Sequence, residues 1–310
     1  MYDVIICGAG PAGLSAGIYA SRRNLKTLII SKDIGGQINL ATEIENYPGI
    51  EKISGIELTD TMKKQCEKFG VEFVTDNLIK MDLQGEVKKI TTEYKGVFEA
   101  ASVILATGAM HRTLGVKGED KLTGRGVSYC ATCDGPMFRG KKVAVVGGGD
   151  SALTSAVYLA DLAEKVYVIH RRSSFRAEEA NVKQAEEKDN IEFVFDSVLE
   201  EFVGDPMLEK IVIKNKKTGE LRELEVQGCF IEIGSVPSTS LAQAAGVNLD
   251  EKGYIVTNEE METNVPGVFA AGDVTGGLAQ VAVAVGEGAI AGTNAYYYVK
   301  KPEYKTPDYH

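Results

Sequence analysis

The stretch Tyr2-Asp3-Val4-Ile5-Ile6-Cys7-Gly8-Ala9-Gly10-Pro11-Ala12-Gly13 reads as an apolar strand running straight into a glycine turn. A helical stretch to about Arg23 comes next, and then a second apolar run, Thr27-Leu28-Ile29-Ile30. Strand, glycine turn, helix, strand is the unit of a parallel, doubly wound sheet. The plan recurs over residues 141–172. There Lys142-Val143-Ala144-Val145-Val146 leads into Gly147-Gly148-Gly149-Asp150-Ser151-Ala152, a helix to about Leu162, and Val166-Tyr167-Val168-Ile169. In such a turn the first glycine makes the bend, the second lets the backbone approach a pyrophosphate, and the third position lets helix and strand pack closely. One turn of this kind is a weak signal, but two in one chain, each between a strand and a helix, are a strong one. The expected fold is α/β with two Rossmann-like dinucleotide-binding domains.

Composition agrees with that architecture. At 310 residues the chain is long enough for two domains. It carries 34 glycines but only 8 prolines and is 44% hydrophobic. The glycine therefore serves backbone turns inside a folded protein rather than a linker. Lys and Arg number 34 against 44 Asp and Glu, a net charge of −10, which argues against nucleic acid or an anionic membrane as partner. No apolar run approaches the ~18 residues of a membrane span. Met1-Tyr2-Asp3 enters a strand-like run without a charged leader or cleavage site, so a soluble, cytoplasmic protein is expected.

Five cysteines are too few for a disulfide scaffold. Cys66 falls on the apolar stripe Leu58, Met62, Cys66, Phe69 of a helix over 56–69, and Cys7 and Cys229 lie inside apolar strands. All three read as core. The stretches 72–104 and 191–233 are charged and strand-rich, the second with a hairpin signal at Asn215-Lys216-Lys217-Thr218-Gly219-Glu220.

The first nucleotide site reads as FAD. Around Gly8, Gly10, Pro11, Ala12 and Gly13, the position where an NAD site wants a ribose-binding carboxylate holds Ser31-Lys32. A second glycine loop, Gly35-Gly36-Gln37, comes after it, and then Glu45-Asn46-Tyr47-Pro48-Gly49. These are more polar groups than NAD needs, and they suit an isoalloxazine ring. Ala106-Thr107-Gly108 closes the block after a strand at 102–105. Far downstream, Gly272-Asp273 offers a carboxylate to ribityl or ribose hydroxyls. A helix starting near Gln280-Val281-Ala282 would set its positive end by the flavin.

The second site reads as NADPH. Behind Gly147, Gly149, Asp150, Ser151 and Ala152 the strand ends in His170-Arg171-Arg172, with Arg176 close by. Arginine forks suit a 2′-phosphate where a carboxylate would suit a bare ribose. His170 reads as shaping that pocket rather than as an acid–base group.

Cys130-Ala131-Thr132-Cys133-Asp134 lies just before the second glycine turn. Its spacing permits a small reversible disulfide, and zinc would need two further ligands that the three histidines do not offer. In a chain that binds flavin and NADPH, the disulfide is the natural next electron acceptor. Asp134 reads either as a proton donor and acceptor for the exchange or as the cap of a following turn.

Together with Gly126-Val127-Ser128-Tyr129, Glu45–Gly49 and Gly267-Val268-Phe269-Ala270-Ala271-Gly272-Asp273, these motifs resemble the low-molecular-weight thioredoxin reductases, in that family's order and over essentially the whole chain. The resemblance implies a homodimer, each subunit with a discontinuous FAD domain (1–114 and 243–310) and an inserted NADPH domain (115–242) carrying the cysteines. It implies thioredoxin as final acceptor, Cys130 as the attacking thiol, Cys133 as the sulfur next to the flavin, and Asp134 as the acid–base group. It also implies rotation between the domains, with hinges near 112–118 and 234–245. The match departs at Ala279, where the family commonly has an arginine before the glutamine. Other readings are a flavin reductase serving ferredoxin or flavodoxin, a relative fed by ferredoxin or a deazaflavin, one that reduces a glutaredoxin-like protein, and a non-catalytic redox sensor. The first has no use for the cysteine pair, the second none for Arg171, Arg172 and Arg176, and the sensor none for a complete NADPH loop or Asp134.

Overall fold

The computed structural model of the protein describes residues 1–41 and 43–300. Thr42 and residues 301–310, the tail of the expected FAD domain, lie outside the described residues. The chain divides into two compact units. The first comprises Met1–Asn39, Tyr47–Met110 and the chain from Val236 onward; the second comprises Leu40–Asn46 and His111–Ser235.

The first unit starts with β1 (Tyr2–Ala9), α1 (Pro11–Ser21), β2 (Thr27–Ile34), α2 (Gly55–Lys68), β3 (Glu72–Thr75), β4 (Leu78–Asp82), β5 (Lys88–Thr92) and β6 (Val97–Leu105). These strands run in the order β3-β2-β1-β6-β5-β4. The central β1 is parallel to both β2 and β6, and Val4, Ile5, Ile6 and Cys7 are completely buried. Each such aliphatic side chain contributes about 2 kcal/mol by leaving water. Gly8, the last residue but one of the strand, takes φ +111°, and a Cβ there would collide with the Ala106 carbonyl, so the position admits only glycine. Pro11 then opens α1, where its missing N–H costs nothing.

Helix α2 begins in a reciprocal cap: the Glu57 N–H donates to Ser54 Oγ at 3.2 Å, and the Ser54 N–H to the Glu57 carboxylate at 3.1 Å. It buries Leu58, Met62 and Cys66, as the stripe predicts, but Phe69 is exposed. The helix ends at Lys68, and the Phe69 N–H bonds back to the Cys66 carbonyl, which turns the ring off the stripe. That ring lies under the Arg22 guanidinium instead, 5.5 Å from its centroid.

Strand β7 (Ala109–His111) carries the chain into the second unit. There follow α3 (Glu119–Leu122), β8 (Val127–Ser128), α4 (Ala131–Asp134), β9 (Lys142–Gly147), α5 (Asp150–Ala160), β10 (Lys165–Ile169), α6 (Glu179–Glu186), β11 (Ile191–Val194), β12 (Ser197–Gly204), β13 (Leu208–Asn215), β14 (Leu221–Glu225) and β15 (Gly228–Glu232). A parallel sheet of order β11-β10-β9-β15-β8 is covered on one face by α5, through Ala152, Leu153, Ala156 and Leu159. On the other face lies the antiparallel sheet β12-β13-β14, through Leu199, Phe202, Ile211 and Ile213. The hairpin expected at 215–220 joins β13 to β14, its turn held by Asn215 Oδ1, which accepts from the Lys217 and Thr218 N–H groups.

Strand β16 (Ser235–Pro237) pairs with β7 and brings the chain back. Helix α7 (Ser240–Ala244), β17 (Val268–Ala270) and α8 (Val281–Lys300) complete the first unit. β17 lies parallel to β6, and Val247, Ile255, Val265 and Val268 join the core of Ile5, Leu28 and Val103. Helix α8 packs on α1 so closely that a Cβ at Gly288 would collide with the Ala12 carbonyl. The segment after 236 is thus built into the core of the N-terminal block, across a gap of more than a hundred residues. Among the described residues, no helix is long and apolar enough to cross a membrane.

Candidate active site

In the first unit the sequence-predicted residues converge on the start of α1. The Ala106 N–H donates to the Cys7 carbonyl at 2.8 Å, and the Gly35 N–H to the Ala9 carbonyl at 2.8 Å. These bonds bring Ala106-Thr107-Gly108 and Gly35-Gly36 to Gly8 and Gly10, and Thr107 Oγ1 donates to the Ser238 carbonyl. Gly272 belongs to the same place, since a Cβ on it would lie 2.8 Å from that of Ala12. At Gly10 a Cβ would meet only the Gly35 carbonyl, at 3.7 Å, so the mouth of the turn is open on the protein side.

Burial raises the carboxyl of Asp273 above its usual range. Its turn is fixed by Glu287, a residue the sequence reading missed, whose carboxylate accepts from the Gly272 N–H at 2.6 Å and from Thr275 Oγ1 at 3.2 Å. The signal was a lone carboxylate in an otherwise apolar helix. Val281 is half-buried, and Lys32, Gly36, Gln37 and Ala282 are exposed, as is Asn46, which falls in the stretch grouped with the second unit.

In the second unit the glycine turn and the basic loop form one place. The Arg176 N–H donates to the Gly148 carbonyl at 2.9 Å. Asp150, at the start of α5, accepts from the Glu178 N–H and from Asn181 Nδ2, both at 2.7 Å. Arg171, Arg172 and Arg176 are exposed, and among the described residues no ion pair holds their guanidinium groups. His170 is buried beneath the turn, where a Cβ on Gly148 would collide with its ring. Gly148 is thus required by the turn, though the fingerprint reading passed over it. Burial holds the imidazole below its usual range, against backbone bonds at Gly147 and Ser174 and with a smaller push from the Arg171 and Arg172 charges, and Nε2 has no partner among the described residues. An orphaned buried nitrogen, exposed guanidiniums and open space at Gly149 fit a phosphorylated nucleotide; the open turn at Gly10 with a half-buried carboxyl at Asp273 fits a second dinucleotide.

The third cluster is the redox turn. Cys130 and Cys133 form a disulfide, with Cα atoms 5.3 Å apart. Cys130 caps the short helix α4, its Sγ accepting from the Cys133 N–H at 3.2 Å. Ser128, also missed by the sequence reading, is the hub beneath it. Its hydroxyl donates to Asp134 Oδ2 at 2.6 Å and accepts from the Cys130 N–H at 3.0 Å. Asp134 makes no side-chain cap to the following turn, so the capping alternative falls. Burial pushes its carboxyl up, and the Ser128 bond partly opposes that. Cys7, Cys66 and Cys229 are buried free thiols, as expected, and burial raises Cys7 and Cys66 to about 12. They are inert beside the exposed-edge pair.

Two nucleotide-type turns and a cysteine disulfide in one chain define an oxidoreductase that moves electrons between a pyridine nucleotide and a disulfide. The family described as pyridine nucleotide-disulphide oxidoreductase matches residues 2–288. A thioredoxin reductase of Listeria innocua is 43% identical over 97% of this chain and 95% of its own, and one of Treponema pallidum 46% over 96% and 97%. The crystal structure of thioredoxin reductase from Streptococcus pyogenes superposes with a TM-score of 0.92 at 44% identity, covering 96% of this chain and 98% of that one. The chain belongs to the thioredoxin reductase family of pyridine nucleotide-disulphide oxidoreductases.

Proposed function

We propose that the chain uses NADPH to reduce the disulfide of a thioredoxin, through FAD and the Cys130–Cys133 pair. The observation that carries this is the disulfide, on the unit that also bears the half-buried Asp134 carboxyl, the glycine turn and the exposed arginines. In the net reaction NADPH, one proton and the disulfide give NADP⁺ and a dithiol. When bound, FAD takes the reducing equivalents of NADPH and passes an electron pair to the disulfide.

The residues divide the work. Gly147, Gly149, Ser151 and Ala152 receive the NADPH pyrophosphate, Asp150 ties the basic loop to that turn, and Arg171, Arg172 and Arg176 take the 2′-phosphate beside His170. Gly8, Gly10, Pro11, Ala12 and Gly13 receive the FAD pyrophosphate. Ser31, Lys32, Gly35, Gly36, Gln37, Asn46, Ala106, Thr107, Gly108, Gly272, Asp273, Gln280, Val281 and Ala282 hold the rest of that group. Residues 1–114 with 243–310 and residues 115–242 are the corresponding domains.

Once the pair is reduced, the Cys133 N–H supports charge on Cys130 Sγ, which favours Cys130 as the thiolate that attacks the partner disulfide. Asp134, raised by burial, holds a proton at neutral pH more readily than an exposed aspartate and donates it to a departing sulfur. A cytoplasmic homodimer is the assembly that the family likeness supports.

Anaerobic titration with NADPH followed by thioredoxin is the test. NADPH should bleach the flavin and thioredoxin should restore it, while Cys130→Ser keeps the bleaching and loses the restoration. If NADPH leaves the flavin oxidised while another donor bleaches it, the NADPH reading is overturned.

A further inference from the structure

Among the described residues Glu119 is the most deeply buried carboxyl, 2% exposed, and nothing in the proposed reaction uses it. It opens α3 behind Gly118, which takes φ +87° where a Cβ would collide with the Phe202 carbonyl. Four donors meet its carboxylate inside the second unit. The N–H groups of Leu114, Gly115 and Val116 donate at 2.9, 2.7 and 3.3 Å, and the Tyr129 hydroxyl donates to Oε1 at 2.8 Å. The first three close the loop that precedes α3. The fourth comes from a separate segment, since Tyr129 directly precedes Cys130. The His111 ring stacks on that phenol, with centroids 5.3 Å apart and planes 16° from parallel.

We propose that Glu119 is a positioning residue for the redox pair: through the Tyr129 hydroxyl it anchors the peptide that enters Cys130, and so keeps that sulfur where the disulfide to Cys133 forms. The proposal rests on Cys130–Cys133 being the redox pair.

The energetics favour an anchor over a local cap. A carboxylate this far from water keeps its charge only while donors satisfy its oxygens, and bonds to a charged group are the strong ones. Three backbone donors already cap the 114–116 loop, so the phenol is what reaches the redox turn. The Tyr129 hydroxyl cannot swing out without leaving a buried charge short of a donor. Tyr129 is thus held at its tip by Glu119 and on its face by His111. The other end of the turn is held by packing: a Cβ on Gly135 would lie 2.9 Å from the Tyr158 ring and 3.1 Å from the Leu159 side chain. With both ends fixed, the two thiols gain little freedom on reduction, which favours the disulfide. A freed Cys130 end gives that freedom back and favours the dithiol.

The experiment equilibrates the holoenzyme anaerobically with graded mixtures of reduced and oxidised glutathione. N-ethylmaleimide then traps free thiols, and peptide mass spectrometry reads the Cys130–Cys133 pair. Tyr129→Phe keeps the ring under His111 and removes only the hydroxyl. Its disulfide should be about fivefold easier to reduce, a midpoint shift of roughly 20 mV to less negative potential. Glu119→Gln weakens the same bond by removing the charge and should shift the midpoint in the same direction. Thr123→Ala is the control, since it removes a bond to the Glu119 backbone carbonyl and none to the carboxylate, and its midpoint should stay at the wild-type value. A wild-type midpoint in Tyr129→Phe, or in Glu119→Gln should Tyr129→Phe not fold, overturns the proposal. An equal shift in Thr123→Ala overturns it as well, because general loosening of the loop would then suffice. Neither thioredoxin nor NADPH enters this assay, so failure of the thioredoxin reaction would count against the proposed function alone.

Discussion

Ser128 Oγ lies 2.6 Å from Asp134 Oδ2, and the same oxygen accepts the N–H of Cys130 at 3.0 Å. One hydroxyl thus sets both the rotamer of the acid and the peptide of the attacking cysteine. Ser128→Ala removes the bond that holds the raised Asp134 carboxyl down, so that carboxyl should rise further. The rate of thioredoxin reduction should fall about tenfold, and the limb of its pH profile due to Asp134 should shift upward. Unfolding in urea should cost about 2 kcal/mol less, the size of a hydrogen bond to a charged group. A pH profile identical to wild type would remove Ser128 from the proton path.

Gly10 and Gly149 separate a cofactor's needs from the protein's. Neither has a positive φ, and a Cβ at Gly149 would meet nothing within 4 Å. Gly149→Ala should leave the thermal midpoint unchanged and raise the KM for NADPH about tenfold or more, because the methyl group occupies the approach of the pyrophosphate. Gly10→Ala should do the same to FAD retention while sparing NADPH. Gly8→Ala is the contrasting case, since it meets the Ala106 carbonyl at positive φ and should destabilise the fold itself. An undiminished affinity for NADPH in Gly149→Ala would move the nucleotide to another edge of the sheet.

Arg171, Arg172 and Arg176 are exposed and make no ion pair among the described residues, so their removal should cost little stability. Each charge-assisted contact to a 2′-phosphate carries ~1.5–3 kcal/mol, roughly tenfold or more in binding. Replacing Arg171 or Arg172 by alanine should lower kcat/KM for NADPH about tenfold and leave that for NADH nearly unchanged. Equal losses with both nucleotides would mean that the loop positions the turn rather than reading the phosphate.

The features legible in the sequence are those whose signals are local. Gly8–Gly13 after Val4–Cys7 and Gly147–Ala152 after Val143–Val146 are contiguous strand-and-turn patterns, and the α/β fold follows from them. The cysteine pair and the basic loop were legible for the same reason. Glu232 and Glu287 were not, because each meets a partner that only the fold brings near, and Ser128 was not because a serine two residues before a cysteine makes no pattern of its own. Glu287 is fifteen residues from Gly272, and Glu232 is seventy-seven from Ser155, which donates to it. Phe69 misled for a smaller reason: the helix stops one residue before it, and periodicity says nothing about where a helix ends.

Three half-buried carboxyls each contribute a pH dependence of definite sign. Burial raises Asp134, Glu232 and Asp273, Glu232 from 4.5 to about 7. A carboxyl raised in the folded state binds its proton more tightly there than in the unfolded chain. Its stabilising contribution is full below the unfolded value and lost as pH rises through the folded one. Glu57, Asp76 and Asp150 are lowered by hydrogen bonds and act in the opposite sense, but only in more acidic solution. Between about pH 5.5 and pH 8, Glu232 alone should therefore lower stability by roughly 2 kcal/mol, while His111 and His170, lowered by burial, oppose it below about pH 6.5. Self-repulsion at a net charge of −10 works in the same direction, yet it is screened by about 0.5 M salt while the buried term is not. Urea unfolding at both pH values in high salt isolates the buried term, and Glu232→Gln should flatten it. A slope in high salt that is the same in wild type and in Glu232→Gln would mean that Glu232 is ionised throughout this range in the folded protein.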